Sequence, residues 1–185
     1  MEKDDVKVAG ENLSRQIQAE AARSYEDKWE QSRENGNFAR AQRIGATLAC
    51  EASSVSFLVF SGDNGEKRAG LCRLLAAFAF VAGIEAGIKD RLLSRIALNV
   101  FYNLLKKDDP ALYDQINSGG EFTFFYLAYR RGGDPRTDAA SHDVAGAFAM
   151  LLGREGEDEL IAEGAEIFEK YFDFARNLIA GVAFE

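Results

Sequence analysis

The residues with the greatest chemical potential lie close together in the stretch YRRGGDPRTDAASH, residues 129–142. It contains three arginines, a Gly-Gly pair, one of two prolines and the only histidine. A glycine loop that leads into a helix exposes N–H groups that bind anions, and guanidinium groups form charge-assisted hydrogen bonds with phosphate. Arg130, Arg131 and Arg136 are therefore a candidate anion site, although the stretch matches neither the P-loop nor the dinucleotide fingerprint.

The same stretch also fits a simple connection between two helices. Arg130 and Arg131 would offset the carbonyl dipole in a last helical turn, and Gly132 suits the left-handed residue just beyond it. Asp134 would cap the next helix and Pro135 would take its first position. A solvated connection is therefore the alternative interpretation of most of these residues.

Arg136 and His142 raise a second alternative. Five residues separate them, and the polar Thr137 directly follows the arginine. This spacing resembles that of the HEPN-type helical ribonucleases, and the resemblance covers this one spacing only. It implies an enzyme in which Arg136 holds phosphate and His142 transfers the proton, a role that suits histidine near neutral pH. The acidity of the chain weighs against an RNA partner.

Other site chemistries find no support in the sequence. A single histidine excludes a His-rich zinc site, and a di-iron bundle would need Glu-x-x-His tetrapeptides that the chain lacks. Glu163, Glu166 and Glu169 are predicted to form a solvated face. Cys50 and Cys72 could meet across a turn as a redox pair, but buried, reduced thiols are the favoured interpretation. We therefore expect no metal and no cofactor.

Length and charge bound the class of protein. The 185 residues suit one domain, 1–185, with residues 1–9 as a flexible tail. The net charge of −8 disfavours nucleic acid and anionic membranes as partners. Two cysteines and an amino terminus without an apolar stretch favour the cytoplasm. The most apolar segment, 74–84, is too short to span a bilayer.

Hydrophobic periodicity predicts an all-α, single-domain bundle of about seven or eight helices around this apolar central helix. The second helix is predicted to run from about Phe38 through VSFLVF to the turn at 61–65. The third is predicted to break or kink near Gly83 and Gly87, and Asp109 and Pro110 should begin a short helix. The inward face of the final helix is predicted to comprise Leu160, Gly164, Ile167, Phe168, Tyr171, Ala175, Leu178 and Val182.

Aromatic residues suggest a binding surface. The segment 122–129 is ambiguous between helix and strand, and we predict helix. One inward face cannot hold every ring of this segment, which makes a candidate interface or pocket of Phe122, Phe124, Phe125, Tyr126 and Tyr129. The final helix has further apolar residues outside its stripe: Phe172, Phe174, Ile179 and Phe184. We therefore expect a two-fold homodimer.

The expected function is that of a non-catalytic intracellular protein that associates with itself and binds a protein or small-molecule partner. The enzyme alternative is phosphate-directed chemistry at Arg136 and His142. A transcriptional regulator is the last alternative, because the best candidate recognition helix, 89–107, uses one face for core residues.

Overall fold

A computed structural model of the chain describes residues 20, 23–24, 26–57, 65–132 and 138–185. These residues form eight helices and include no strand, which confirms the all-α prediction. The helices are α1 (26–34), α2 (Asn37–Ser54), α3 (Gly65–Gly87), α4 (Arg91–Asp108), α5 (Pro110–Ser118), α6 (Gly120–Arg131), α7 (Asp138–Leu151) and α8 (Asp158–Ala180). The predicted tail at 1–9 lies outside the described residues.

The chain divides into two compact units, Met1–Ala39 with Glu185 and Arg40–Phe184. In the first, Gly36 follows α1 with a φ of 78°, a left-handed conformation that favours glycine. The Trp29 ring packs edge-on against Phe38 with centroids 4.9 Å apart. The Asn37 side chain donates a hydrogen bond to the Glu185 carbonyl oxygen and accepts one from the Glu185 N–H. A single domain over 1–185 stays a prediction.

The second unit is built around α3, as the sequence predicts. Every residue from Leu74 to Ile84 is buried, so this part of α3 is enclosed on all sides. The Phe78 ring is central to an aromatic cluster, with centroid distances of 5.4–6.1 Å to Phe122, Phe125, Tyr129 and Phe168. Aromatic pairs at such separations contribute about 0.5–1.5 kcal/mol beyond the burial of their area.

Helices α3 and α8 lie side by side and run in the same direction. Near their starts, the Arg68 guanidinium pairs with the Glu163 carboxylate at 2.5 Å. Further along, a Cβ placed on Gly83 would lie 2.5 Å from the Ala175 Cβ, so glycine allows the two helices to approach closely. Of the two positions at which a break or kink is predicted, Gly87 is the residue at which α3 ends, whereas Gly83 lies within the helix and serves packing.

Two further contacts fix α2, α4 and α5 to this core. A Cβ on Gly45 would overlap the Ala97 carbonyl oxygen, so α2 crosses α4 in close contact. The Arg73 guanidinium donates to the Ser53 carbonyl oxygen at 3.2 Å and to the Asp109 carboxylate. Asp109 also accepts the Leu112 N–H and caps α5, as the sequence predicts.

Two predictions about helix ends are wrong. Helix α2 ends at Ser54, and residues 55–57 are not helical although VSFLVF continues the helical period. At this end the Ser54 hydroxyl bonds back to the Cys50 carbonyl, which competes with helix continuation. After α6, Gly132 has a φ of −63° and is not left-handed. Its missing side chain matters because a Cβ there would lie 2.5 Å from the Ala140 Cα.

The final helix is rotated relative to its predicted inward face. Leu160, Gly164, Ile167, Phe168 and Ala175 are buried as predicted, but Phe172 and Ile179 are buried too. Tyr171, Leu178 and Val182 are only partly buried. The actual stripe follows the wide apolar sector of the helix, so fewer of its rings are left over for an interface than the sequence suggests.

By length and composition alone, α3 is the one described helix that could cross a membrane. In its most apolar 18-residue window, 72% of the residues are buried in this fold. A buried core helix has the same composition as a membrane span, so this property is weak evidence for a membrane.

Candidate functional site

A wide cleft opens where the carboxyl end of α3, the following linker, the start of α4 and α6 meet. Its volume is about 700 Å³, within the range of pockets that hold small molecules. It is lined by Glu85, Ala86, Ile88, Lys89, Arg91, Ser94, Arg95, Leu98, Tyr126 and Arg130. We refer to this feature as the basic cleft.

The sequence of α4 explains how its charged residues reach the basic cleft. Asp90 caps the helix, and its carboxylate accepts the N–H groups of Leu92 and Leu93 at 2.7 and 3.2 Å. The apolar face of α4 is buried through Leu92, Leu93, Ile96, Ala97, Phe101 and Leu105. Arg91 and Arg95 are one helical turn apart on the polar face and are exposed. Core burial of one face therefore directs both guanidinium groups towards the basic cleft.

Four of the lining residues are cationic and one is acidic. Within the part of the chain that the structure describes, Lys89, Arg91, Arg95 and Arg130 form no ion pair within 4.0 Å. Lys89 and Arg91 also flank the amino terminus of α4, where the helix dipole disfavours cations by about 0.3–1 kcal/mol. The basic cleft thus concentrates positive charge in an acidic protein, at a position that costs stability.

Glu85 is the one carboxylate that lines the basic cleft. Its partial burial raises the pKa of the Glu85 carboxyl above the ordinary value, and the nearby Arg130 guanidinium lowers it in part. The Arg130 guanidinium also lies 5.8 Å from the centre of the Tyr126 ring, a cation–π contact. Tyr126 and Glu85 therefore lie at the end of the basic cleft that Arg130 occupies.

Tyr102 on α4 belongs to the same electrostatic neighbourhood. Burial is the main reason that the pKa of its hydroxyl lies far above the ordinary value, and Glu85 and Tyr126 raise it further. The Tyr102 hydroxyl is therefore neutral at physiological pH and keeps its proton. The Tyr102 phenol that α4 places near Glu85 is therefore uncharged.

The residues of the predicted anion site and of the predicted Arg136–His142 pair differ in where they lie relative to the basic cleft. Arg130 lines the basic cleft, whereas Arg131 is exposed and does not line it. Arg136 lies outside the described residues, as do Asp134, Pro135 and Thr137. His142 is exposed on α7 and does not line the basic cleft. The pairing of Arg136 with His142, and with it the ribonuclease alternative, stays a prediction.

The aromatic segment divides between the core and the basic cleft. It is helical, as predicted, and Phe125 and Tyr129 are buried. Phe122 packs its ring edge-on against Phe78, and Phe124 is half-buried. Of the five predicted pocket or interface residues, only Tyr126 lines the basic cleft.

A second cavity lies between the start of α3 and α5. It has a volume of about 340 Å³ and is lined mainly by acidic, polar and small residues, among them Glu66, Asp114 and Glu121. Within the described residues, no group of three or more His, Cys, Asp or Glu side chains is arranged to hold a metal ion. This cavity therefore presents carboxylates but no coordination geometry.

The predicted environments of the two cysteines and of the α8 glutamates are each found in part. Both thiols are free, but only Cys72 is buried and Cys50 is exposed. Burial raises the pKa of the Cys72 thiol to about 12, with a further contribution from Glu163, so this thiol is unreactive. On α8, Glu166 and Glu169 are exposed as predicted, and Glu169 also accepts a 2.7 Å hydrogen bond from the Ser141 hydroxyl. Glu163 departs from the prediction, because it is half-buried and pairs with Arg68.

No protein-family model matches the chain, and no curated protein or solved structure matches it.

The cleft residues that sequence reasoning missed include Glu85 and the three cations Lys89, Arg91 and Arg95. A signal was present, because basic residues surround the amino terminus of α4 and its first turn contains no acidic residue. That arrangement opposes the helix dipole, and a locally unfavourable choice is often found at functional positions.

Proposed function

We propose that the protein is a non-catalytic binding protein that holds a small anionic ligand in the basic cleft. The observation that carries the proposal is the convergence of Lys89, Arg91, Arg95 and Arg130 on one cavity, where none of them forms an ion pair within 4.0 Å among the described residues. Like charges repel one another, so this grouping lowers stability unless an anion neutralises it. A bound phosphate or carboxylate group supplies that neutralisation.

The charge distribution favours a small ligand over a polyanion. The whole chain has a net charge of −8, so a nucleic acid would be repelled by most of the surface. A small anion is different because it experiences chiefly the local field of the basic cleft. The attraction is screened by salt, since the Debye length is about 8 Å at physiological ionic strength. Binding should therefore weaken as salt is added.

The first experiment measures inorganic phosphate binding by calorimetry at low salt. A hydrogen bond to a charged group contributes about 1.5–3 kcal/mol, which corresponds to roughly tenfold or more in affinity. We therefore expect Arg95→Gln and Arg130→Gln each to weaken binding by at least about tenfold.

Arg131→Gln is the matched control. Arg131 follows Arg130 in the same helical turn and is exposed, but it does not line the basic cleft. We expect this variant to bind phosphate as the unchanged protein does. Equal losses in Arg130→Gln and Arg131→Gln, or no binding at millimolar phosphate, would refute the proposed site.

We also propose that the protein forms a two-fold homodimer. Support comes from three large apolar side chains that remain exposed, Leu127 at 58%, Met150 at 43% and Phe174 at 41%. Leu127 belongs to the aromatic segment and Phe174 to α8, the two elements from which we expect the interface. Light scattering at micromolar concentration tests the dimer, and Leu127→Gln should shift the mass towards the monomer. A monomeric mass at all concentrations would exclude it.

A further inference from the structure

We propose that Glu85 shares one proton with the bound anion, so that the basic cleft selects a phosphomonoester in its singly protonated form. This inference rests on the proposed function and adds the chemical class of the ligand. A singly protonated phosphomonoester has ionised oxygens for the cations and one P–OH group. The P–OH group donates to the Glu85 carboxylate.

The lining of the basic cleft gives such a proton an acceptor. Glu85 lines the same cavity as the four cations, and within the described residues its carboxylate makes no ion pair and accepts no hydrogen bond. In contact with the ionised Glu85 carboxylate, a fully ionised anion would bring two like charges together. A proton between them removes the repulsion and adds a hydrogen bond, as it does when two carboxylates share a site.

The charged and titratable groups that face Glu85 are cations and phenols, so the proton is shared between the Glu85 carboxylate and the ligand. The linker and α4 present Lys89, Arg91, Arg95 and Tyr102, and α6 presents Tyr126 and Arg130. Tyr102 keeps its proton, because its pKa lies far above its usual range. Among the described residues, α8 meets α3 through Gly83 and Gly87, on the opposite side of α3 from Glu85. The partial burial that raises the pKa of Glu85 acts in the same direction.

Phosphomonoesters and sulfate monoesters differ in the proton they can bring. The second pKa of a phosphomonoester is about 6, so near this pH the ligand itself supplies the P–OH group. Above it, the ligand arrives as a dianion and the shared proton must come from the buffer. A sulfate monoester has no proton to offer at any of these pH values. The proposed device therefore distinguishes two ligands of nearly the same shape.

The test uses phenyl phosphate and phenyl sulfate with the full chain. Calorimetry at pH 7.5 in two buffers of different ionisation enthalpy gives the number of protons taken up on binding. We expect close to one proton for phenyl phosphate, and an affinity that falls about tenfold per pH unit above about pH 6. At pH 6.5, phenyl phosphate should bind at least about tenfold more tightly than phenyl sulfate.

Glu85→Gln is the diagnostic variant. It should still bind phenyl phosphate but take up no proton, and its preference over phenyl sulfate should shrink at least fivefold, by the loss of one charged hydrogen bond. If phenyl phosphate binds the unchanged protein without proton uptake, or if Glu85→Gln takes up the same number of protons, the inference is wrong and the proposed function stands. If neither ester binds, the proposed function fails as well.

Discussion

The contact between α3 and α8 at Gly83 allows the fold to be tested with one added methyl group. The Cβ of Gly83→Ala would lie 2.5 Å from the Ala175 Cβ and 3.3 Å from the Phe172 carbonyl oxygen. All of these atoms are held by helical backbone, so the two helices must separate. Overpacking of this kind costs about 1–3 kcal/mol.

Gly70 supplies the matched control because it lies in the same helix and a Cβ there meets nothing within 4 Å. Both substitutions gain about 1 kcal/mol of helix propensity, so this gain cancels when the two variants are compared. Gly83→Ala should therefore unfold about 1–3 kcal/mol more easily than Gly70→Ala. For a chain of this length each kcal/mol shifts the Tm by about 2–4 °C.

The assay is thermal or urea unfolding followed by circular dichroism. A second variant, Gly83→Ala with Ala175→Gly, moves the methyl group from one helix to the other. It should be about as stable as the unchanged protein, because the space is restored and the helix propensity gained at position 83 is lost at position 175. If Gly83→Ala is as stable as Gly70→Ala, or if the exchange variant is much less stable than the unchanged protein, α3 and α8 do not pack at this point.

Three further outcomes follow from burial and charge. Phe78→Ala should cost about 3–5 kcal/mol in denaturant unfolding, whereas Phe174→Ala, at a ring that is 41% exposed, should cost much less; equal losses would contradict the placement of α3 at the core. A thiol reagent at pH 8 should label Cys50 in the folded protein and Cys72 only after denaturation, because burial raises the pKa of Cys72 to about 12; labelling of both thiols in the native state would contradict this. Since the folded-state pKa of Glu85 is raised, its contribution to stability is present below its unfolded pKa and is lost as the pH rises, so Glu85→Gln should raise the Tm at pH 7 and leave it nearly unchanged at pH 4; an equal shift at both pH values would disprove the pKa direction.

The helices of this protein are predictable from its sequence because their apolar periods are long and mostly end at turn residues. The central position of α3 follows from the same reasoning, since a segment that is apolar on all sides must be enclosed. Two of the errors concern glycine. The sequence predicts a break at Gly83 and a left-handed conformation at Gly132, but each glycine instead allows its helix end or helix to approach a neighbouring helix closely. Whether a glycine interrupts a helix or allows close packing depends on where the neighbouring helices lie, which the sequence does not show.

The candidate site was less accessible to prediction. Sequence reasoning identified Arg130 as an anion ligand and Tyr126 as a pocket residue, and both line the basic cleft. It could not join them to Arg91 and Arg95, because these residues are about 35 positions away and meet Arg130 only through the packing of α3, α4 and α6. Which residues of two helices meet depends on how each helix is rotated about its own axis. Hydrophobic periodicity predicts this rotation only to within one or two side chains.

Asp109 has a consequence for the way in which the bundle unfolds. Its N–H closes α4 on Leu105, its carboxylate begins α5 on Leu112, and the same carboxylate holds Arg73 of the central helix. If the connection between α4 and α5 unfolds locally, the Arg73 guanidinium of α3 therefore also loses its carboxylate partner. In hydrogen exchange, the first amides of α5 should belong to the slow, cooperative unit of the core, even though they lie in a short surface helix.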